Sequence, residues 1–444
     1  MFNHSFLSAL AKSILAGDAT VDGIAGRASR TLGRNWRWIR PLARRYLKEF
    51  GSDARPRRRD VIKFLRADEG LRTAKWRYGG EIRIAAWVDV PGDMLPVDAA
   101  AGWKIPAIES AGALADWLGL SPGELDWFAD LKRLTSQNRP DLSSPLLHYH
   151  YRVLTKDSGS IRLIEAPKVR LKEMQRKVLV EILEAVPLHD AVHGFRKGRS
   201  IKTFAEPHVG QRIVLRMDLK EFFPSISRAR IQALFRMAGY PEPVADLLGG
   251  ICTNCAPRTL WKTLGRGIDT ERMAEARALY AWPHLPQGAP TSPALANLCA
   301  YRADCRLSGL SARAGARYTR YADDLAFSGG EEFERCVERF AARAAAILME
   351  EGFHVHYRKT RIMREGVRQH LAGLVINEHM NVPRKDFDRL KAMLTNCVRH
   401  GAESQNREGH PAFRQHLEGR VGFVEMLNPA KGARLRRILE QIQW

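Results

Sequence analysis

The chain has 444 residues, and an apolar content of 45% allows two or three domains with hydrophobic cores. Lys and Arg exceed Asp and Glu by 22, which indicates a polyanionic partner, either nucleic acid or an acidic membrane surface. No apolar run reaches the roughly 18 residues of a membrane span. Lys12 interrupts the apolar stretch near the N-terminus, which is atypical of a signal peptide. Six cysteines are too few for a disulfide framework in a chain of this length, which favours a reducing cytoplasm.

The first 77 residues are the most basic part of the chain. Between Met1 and Arg77, 18 Lys and Arg stand against 7 Asp and Glu, an excess of 11 that is half of the total of 22. Apolar residues recur there at helical spacing, and Trp36, Trp38 and Trp76 alternate with arginines, which suits stacking on nucleic-acid bases. The same tryptophans could equally pack the segment together. We predict a basic helical extension that binds RNA or docks a partner.

Residues 78–135 are predicted to form a linker and a helical elaboration. Gly and Pro punctuate residues 78–106, and the pattern there predicts a strand from Ile82 to Val90. One or two helices follow between residues 111 and 134. Ser121 and Glu124 have the spacing of a capping box, which predicts a helix start.

From about residue 147, short strands alternate with helices. The predicted elements are a hairpin (His148–Thr155 and Ser160–Glu165), a helix (Leu171–Val186), an apolar strand (Ile213–Met217), two helices (Arg228–Ala238 and Pro293–Leu307), a hairpin (Arg317–Ser328), a helix (Glu331–Glu350) and a strand (Phe353–Tyr357). Residues 384–444 are predicted to be mainly helical, and 12 Lys and Arg stand against 7 Asp and Glu there.

Two segments carry acidic residues at positions that need an explanation. Asp218 follows the apolar strand, and Asp323 and Asp324 are adjacent at the centre of a hairpin. Buried unpaired carboxylates are costly, whereas Mg²⁺ prefers a few carboxylates and completes its shell with phosphates. Either segment alone could be an ordinary strand end or a solvated turn. Together they predict two Mg²⁺ ions about 3.5–4 Å apart that activate a hydroxyl and stabilise a leaving pyrophosphate.

One pair of cysteines has the spacing of metal ligands. Cys252 and Cys255 are three positions apart, but neither a second Cys pair nor a well-placed His follows to complete a tetrahedral zinc site. We therefore interpret these thiols as buried or unpaired.

Three ordered motifs resemble those of reverse transcriptases. Tyr321-Ala322-Asp323-Asp324 resembles the signature tetrad, the strand reaching Asp218 resembles the first palm motif, and Leu285–Pro293 resembles the nucleotide-pocket motif. The resemblance runs from about residue 149 to 377. It implies an α+β right-hand polymerase with fingers and palm (136–377) and a helical basic thumb (378–444), preceded by the basic helical extension (1–77) and the linker or elaboration (78–135).

The resemblance also implies roles for single residues. Leu219 would give its backbone carbonyl to a metal ion, and Phe223 would be the steric gate that excludes a ribose 2′-hydroxyl, although a core phenylalanine is the plain alternative. Gln287 would line the pocket of the incoming dNTP. Lys156 and Arg162 would clamp its triphosphate, because cations make charge-assisted hydrogen bonds to phosphate oxygens.

Further roles fall in the last hundred residues. Lys359 is similarly placed to a palm lysine that approaches the leaving pyrophosphate. Leu371, Ala372 and Gly373 resemble the primer-grip hairpin, and the arginines of the last predicted helix are candidates for RNA binding, namely Arg434, Arg436 and Arg437.

Among reverse transcriptases, the sequence is most similar to the retron enzymes. The similarity covers His193–Ser200, Asp218–Ser225 and Thr319–Ser328, and His208 stands where that family closes a short motif before the first palm strand. The resemblance implies a cognate structured non-coding RNA as both template and primer, a branched RNA–DNA product, antiphage defence and a separate effector protein. Other bacterial defence or group II intron reverse transcriptases, an RNA-templated RNA polymerase, and a catalytically inactive RNA-binding relative are the alternatives.

Overall fold

The computed structural model describes residues 2–53, 56–137, 146–155, 160–264 and 269–444. The chain folds into two compact units, each made of two separate segments. Unit 1 comprises Met1–Pro187 and Ile226–Leu295, and unit 2 comprises Leu188–Ser225 and Ala296–Trp444. No helix in the described ranges is long and apolar enough to cross a bilayer.

Helices make up most of both units. In chain order they are α1 (His4–Leu15), α2 (Val21–Thr31), α3 (Ile39–Phe50), α4 (Arg58–Ala67), α5 (Glu69–Tyr78), α6 (Ala111–Leu118), α7 (Pro122–Ala129), α8 (Leu134–Gln137), α9 (Val169–Glu181), α10 (Ile201–Ala205), α11 (Arg228–Met237), α12 (Glu242–Cys252), α13 (Leu260–Leu264), α14 (Thr270–Leu279), α15 (Ser292–Cys299), α16 (Tyr301–Arg313), α17 (Glu331–Glu350), α18 (Arg384–His400), α19 (Phe413–Leu427) and α20 (Pro429–Leu439). The strands are β1 (Tyr149–Thr155), β2 (Ile161–Pro167), β3 (Ile213–Lys220), β4 (Arg317–Tyr321), β5 (Asp324–Gly329), β6 (His354–Val355), β7 (Arg361–Arg364), β8 (His370–Leu371) and β9 (Leu374–Val375).

The N-terminal part of unit 1 is helical and has its own hydrophobic core. Helices α1 to α5 bury one apolar stripe each, and the buried cluster includes Leu10, Ile39, Leu42 and Tyr46. The cluster continues past the fifth helix to Ile82. The helical character predicted for this region is therefore confirmed.

The strand predicted between Ile82 and Val90 is wrong. The residues are extended but pair with no other strand of the described chain. Instead, the amide of Ala85 donates a hydrogen bond to the carbonyl of Thr31 at the end of α2, at 2.8 Å. The segment thus packs against the end of α2. Its alternation of more and less buried side chains resembles the pattern of a strand.

The rest of unit 1 contains the first hairpin and a group of helices. Strands β1 and β2 pair antiparallel as predicted, with Thr155 opposite Ile161. Helix α7 starts at the predicted capping box, in which Glu124 Oε2 accepts a hydrogen bond from the Ser121 amide at 2.9 Å. The buried face of β2 packs with Leu260 and Tyr280 in a second core.

Unit 2 is built on an antiparallel sheet and the last helices. The strand order is β4-β5-β3-β6, and β7 also pairs with β3. Strand β3 has neighbours on both edges and helix α17 packs on it, and its residues from Ile213 to Leu219 are almost all buried. Helices α18 to α20 form a further core with the β8–β9 hairpin. The mixture of helices and sheet, after a helical N-terminal region, confirms the predicted α+β fold class. The three predicted domain boundaries stay predictions.

Candidate active site

The β4–β5 hairpin carries two adjacent aspartates at its tip. Tyr321 pairs with Asp324, so Ala322 and Asp323 form the two-residue turn. Ala322 has φ +55°, a left-handed conformation that costs a residue with a Cβ about 1 kcal/mol. The surrounding structure must therefore hold the turn in place.

Strand β3 brings the third aspartate to the same place. In the β3–β5 register Asp218 lies opposite Asp324, and the amide of Leu219 donates to the carbonyl of Asp323 at 2.9 Å. The strand continues two residues past Asp218 to Lys220, so the carboxylate lies inside the strand rather than at its end. The three predicted aspartates are thus collected by backbone pairing.

Two basic side chains form ion pairs with these carboxylates. Lys359 Nζ donates to both oxygens of Asp218, at 3.0 and 3.1 Å. Arg216 donates from Nε and Nη2 to Asp324 Oδ1, at 2.9 and 2.7 Å. The sequence analysis missed Arg216, although residues 216 and 218 share one face of a strand and the period of two could have indicated it.

The third carboxylate, Asp323, has the least positive charge nearby to offset its own negative charge. Burial, together with the negative charges of Asp218 and Asp324, raises the pKa of Asp323 above its ordinary value. Burial also raises the pKa of Asp324, and the guanidinium of Arg216 opposes that shift. Crowded, partly buried carboxylates of this kind are expected to gain from an added positive charge.

The donor set fits a hard divalent cation such as Mg²⁺. All three side chains offer carboxylate oxygens, the ligands that Mg²⁺ prefers. Within the described ranges, no three His, Cys, Asp or Glu side chains are already arranged as a coordination shell, and Asp218 and Asp324 are instead paired with Lys359 and Arg216. The number and identity of the ions stay predictions.

A buried polar network supports the hairpin tip from below. Arg320, which is 1% exposed, binds both oxygens of Asp304 at 2.8 and 2.7 Å. Its third nitrogen donates to the carbonyl of Ala322 at 3.1 Å and to Asn297 at 3.0 Å. Asn297 in turn donates to the carbonyl of Gly194 at 2.9 Å. These residues come from four separate segments, so the sequence did not indicate that they form one network.

Gly194 makes the closest approach to the turn. A Cβ on Gly194 would lie 2.6 Å from the amide nitrogen of Ala322, well inside van der Waals contact. Glycine at this position therefore allows the segment around His193 to lie directly beneath the catalytic hairpin.

His208 clamps the two strands of the hairpin together. It is fully buried, and its ring nitrogens lie 2.7 Å from Ser328 Oγ on β5 and 2.8 Å from Thr319 Oγ1 on β4. The histidine singled out in the sequence thus has a structural position behind the aspartates.

Phe222 and Phe223 have different environments. Phe222 is 3% exposed and packs on Phe353, as a core residue does. Phe223 is half-buried and joins Phe195, whose ring centroid is 6.4 Å away, and Phe195 packs on Tyr321 of the signature tetrad. Phe223 thus lies beside Phe195, which is 54% exposed, and its steric-gate role stays a prediction.

Two of the predicted nucleotide-contacting residues, Arg162 and Gln287, belong to unit 1. Arg162 is exposed on β2, opposite Leu154, and Lys156 lies outside the described residues. The backbone of Gln287 is fixed because its carbonyl accepts from the Glu165 amide at 2.8 Å. Its side-chain oxygen is buried with no protein partner among the described residues. The roles of these three residues stay predictions.

A buried ion pair stabilises the loop that carries Gln287. Glu165 Oε2 lies 2.9 Å from His284 Nε2, and both side chains are almost completely buried. The other ring nitrogen lies 2.7 Å from the carbonyl of Trp282. Both ring nitrogens thus face acceptors, and although burial lowers the pKa of His284, Glu165 and this carbonyl outweigh it and raise the pKa overall.

The predicted primer-grip residues form the tip of the β8–β9 hairpin. Leu371 is fully buried, whereas Ala372 and Gly373 are turn residues with φ +44° and +84°. Gly373 borders a cleft of about 510 Å³ whose wall includes Pro383 and Phe423 from the C-terminal helical part.

The three candidate arginines of α20 are not equivalent. Arg434 and Arg437 are exposed, whereas Arg436 makes a two-pronged ion pair with Glu425 on α19.

The two cysteines with metal-ligand spacing have different environments. Cys252 is fully buried, which raises the pKa of its thiol to about 12, and Cys255 donates to the carbonyl of Ala281.

Known proteins resemble this chain over most of its length. The family described as reverse transcriptase (RNA-dependent DNA polymerase) matches residues 154–387. The retron Mx65 reverse transcriptase of Myxococcus xanthus is 40% identical over 350 residues, which cover 78% of this chain and 75% of that protein. The retron Mx162 enzyme of the same organism is 38% identical over 73% of this chain and 65% of its own length. The retron Ec86 enzyme of Escherichia coli is 28% identical over 66% of this chain and 82% of its own length. The chain therefore belongs to the retron-type reverse transcriptases, which are RNA-directed DNA polymerases.

Proposed function

We propose that this enzyme copies part of a cognate structured non-coding RNA into DNA with two Mg²⁺ ions held by Asp218, Asp323, Asp324 and the Leu219 carbonyl. The observation that supports this is the strand register that sets Asp218 opposite Asp324. When bound, the ions would activate the attacking 3′-hydroxyl and stabilise the leaving pyrophosphate.

The protein's own residues prepare the site for that chemistry. Arg216 and Lys359 offset part of the negative charge of two carboxylates, and the buried Arg320–Asp304 pair fixes the carbonyl of the turn residue Ala322. Rigid support of this kind keeps the carboxylates in place without reorganisation during the reaction.

The resemblance extends the proposal to substrates. Arg162, Lys156 and Gln287 would bind the incoming dNTP, and Phe223 would exclude ribonucleotides. Leu371, Ala372 and Gly373 would contact the primer backbone, and Lys359 would leave Asp218 to approach the pyrophosphate.

The carboxylates can be tested separately. Asp323→Asn and Asp324→Asn keep the size of the side chain but remove a negative charge. We therefore expect Mg²⁺-dependent dNTP incorporation on an RNA template to fall at least about a hundredfold. The loss should be larger than that caused by removing a residue that only hydrogen-bonds to a metal ligand, which is about 10- to 100-fold. Asp388→Asn, which changes an exposed carboxylate of α18, is the matched control. Wild-type activity in either test variant would contradict the metal-holding role.

The product distinguishes retron synthesis from that of other reverse transcriptases. We propose that synthesis starts from a 2′-hydroxyl of the RNA and leaves a branched RNA–DNA molecule that acts in antiphage defence with an effector protein. Sequencing the nucleic acid that co-purifies with the enzyme, expressed from its own locus, should yield branch-containing reads. A product that is only linear would contradict this part of the proposal.

A further inference from the structure

The three tryptophans of the N-terminal helices have different environments. Trp36 is 7% exposed and belongs to the hydrophobic core of this region, and Trp38 is half-buried against the same core. Trp76 is 88% exposed. The packing interpretation therefore accounts for the first two tryptophans and leaves the third unexplained.

Trp76 lies outside the buried face of its helix. Helix α5 buries Leu71 and Ala74, and Tyr78 is half-buried, which are positions of one helical stripe. Trp76 is off that stripe by roughly a third of a turn or more, since successive residues are about 100° apart. A position outside the stripe is normally polar, so the large indole is not explained by folding.

Cations surround this indole on the same helix. Arg72 is one turn before Trp76 and therefore on the same side of α5, and Arg77 is its exposed neighbour. Arg72 also lies 3.5 Å from Glu69, in an ion pair at which both side chains are more than half exposed. Surface pairs of this kind contribute little and are readily exchanged for another anion.

A shallow cleft lies between α1, α4 and α5, and Arg72, which is one turn before Trp76, is one of its lining residues. Its floor is apolar, with Phe2 and Leu65, and its rim carries Arg66, Arg72 and Lys75. The cleft has a volume of only about 20 Å³ and does not hold a base, but the cations on its rim are hydrogen-bond donors for phosphate oxygens. The excess of basic over acidic residues between Met1 and Arg77, 18 against 7, attracts a ligand that carries phosphate.

We propose that α5 is an RNA-docking surface on which Trp76 stacks against an unpaired base while Arg66 and Arg72 bind the flanking phosphates. The inference rests on the proposed function in so far as that function supplies a structured RNA as the partner. An unpaired base is required because bases within a duplex have no free face, whereas loops and bulges offer one to aromatic side chains. The surface would hold a loop of the RNA independently of template copying.

Binding measurements on the full-length protein test the stacking. The probes are a synthetic hairpin RNA with a purine loop and a blunt duplex with the same stem. Trp76→Ala should weaken hairpin binding at least about fivefold, the lower end of what one base stack contributes, and change duplex binding less than about twofold. Trp76→Phe should recover most of the loss, because the ring can still stack.

A second exposed tryptophan provides the matched control. Trp282 is 66% exposed and lies outside the basic N-terminal region, so Trp282→Ala should leave the affinity for both RNAs unchanged. A hairpin with 5-iodouridine in its loop should photo-crosslink to the peptide that contains Trp76 in the wild-type protein. Unchanged hairpin affinity in Trp76→Ala, or an equal loss for the duplex, would overturn the inference and leave α5 for a protein partner.

The proposed function is tested by a separate readout. Extension of oligo(dT) on poly(rA) by the wild-type protein depends on the aspartates and requires no RNA loop. Failure of that extension would contradict the proposed function and leave the hairpin result standing. Normal extension combined with unchanged hairpin affinity in Trp76→Ala would overturn only the docking surface.

Discussion

At the scale of single residues, His208 is held as a neutral imidazole. Thr319 donates its hydroxyl proton to the carbonyl of Phe204 at 3.0 Å, so it must accept from His208 Nε2. Nδ1 then has no proton and accepts from Ser328. Burial, with the positive charges of Arg317 and His193, lowers the pKa of His208 to about 3.

This environment predicts a loss of stability in mild acid. The unfolded chain takes up the proton near pH 6.5 and the folded protein only near pH 3, so the free energy of unfolding falls as pH drops through that window. Between pH 7 and 5 the loss from this residue is about 2 kcal/mol, at 1.36 kcal/mol per unit. His208→Gln, which does not titrate, should reduce the loss measured by urea unfolding at the two pH values.

Other histidines do not disturb this comparison. Burial also lowers the pKa values of His148 and His193, but both are present in the wild type and the variant. An equal loss of stability in the two proteins would contradict the role of His208.

That the three aspartates lie together could be predicted from the sequence, whereas their partners could not. Order, spacing and residue type single out Asp218, Asp323 and Asp324, and the strand register sets Asp218 opposite Asp324. Their metal-holding role stays a prediction. The contact between Arg216 and Asp324 joins positions 108 apart and depends on the register of two strands. Trp36 and Trp76 are the same residue type, but Trp36 lies in the connection between α2 and α3 and packs into the core, whereas Trp76 lies on the exposed side of α5. The residue type alone does not distinguish these two environments.

At the scale of elements, the catalytic hairpin depends on the segment beneath it. Gly194→Ala would place a Cβ 2.6 Å from the amide nitrogen of Ala322 and force the turn to move. A displacement of about 1 Å at a reacting centre lowers rates by up to about a hundredfold. We expect dNTP incorporation to fall roughly ten- to hundredfold, while circular dichroism still shows a folded protein.

A second glycine of unit 2 gives the control for this change. A Cβ on Gly366 would meet no heavy atom of the described residues within 4 Å, and the backbone there has no left-handed φ. Gly366→Ala should therefore keep normal activity. Full activity in Gly194→Ala would mean that the hairpin tolerates the shift.

Elements with strong local signals were predicted best. Helix α17 has the predicted bounds, and the β1–β2 and β4–β5 hairpins pair as expected. The helix predicted over residues 293–307 is divided into α15 and α16 at Ala300, and the strand predicted at Ile82–Val90 is absent from the described sheets. Alternating apolar and polar residues indicate one buried face and one exposed face. A strand also needs a neighbouring strand to pair with, and the local sequence pattern does not specify one.

At the scale of the whole molecule, we expect the charge of +22 to make the proposed binding of RNA depend strongly on salt. Each phosphate contact to single-stranded RNA contributes about 0.7 to the slope of log affinity against log salt. Replacing both exposed arginines of α20, Arg434→Gln with Arg437→Gln, should therefore lower that slope by about 1.4 in filter-binding titrations. Arg436→Gln is the control, because Arg436 already pairs with Glu425. An unchanged slope in the double variant would remove α20 from the RNA surface.

The division of the chain into alternating segments also governs the order in which the protein can assemble on the ribosome. Strand β3 carries Asp218, but its partners β5, β6 and β7 all follow residue 323. Arg216 emerges 108 residues before Asp324, a delay of roughly 5–20 s at about 5–20 residues per second. During that interval the first apolar strand of unit 2 has none of its pairing partners, while the N-terminal helices and their core are already complete. The newly made chain thus has its basic, RNA-attracting part in place well before it has a catalytic site.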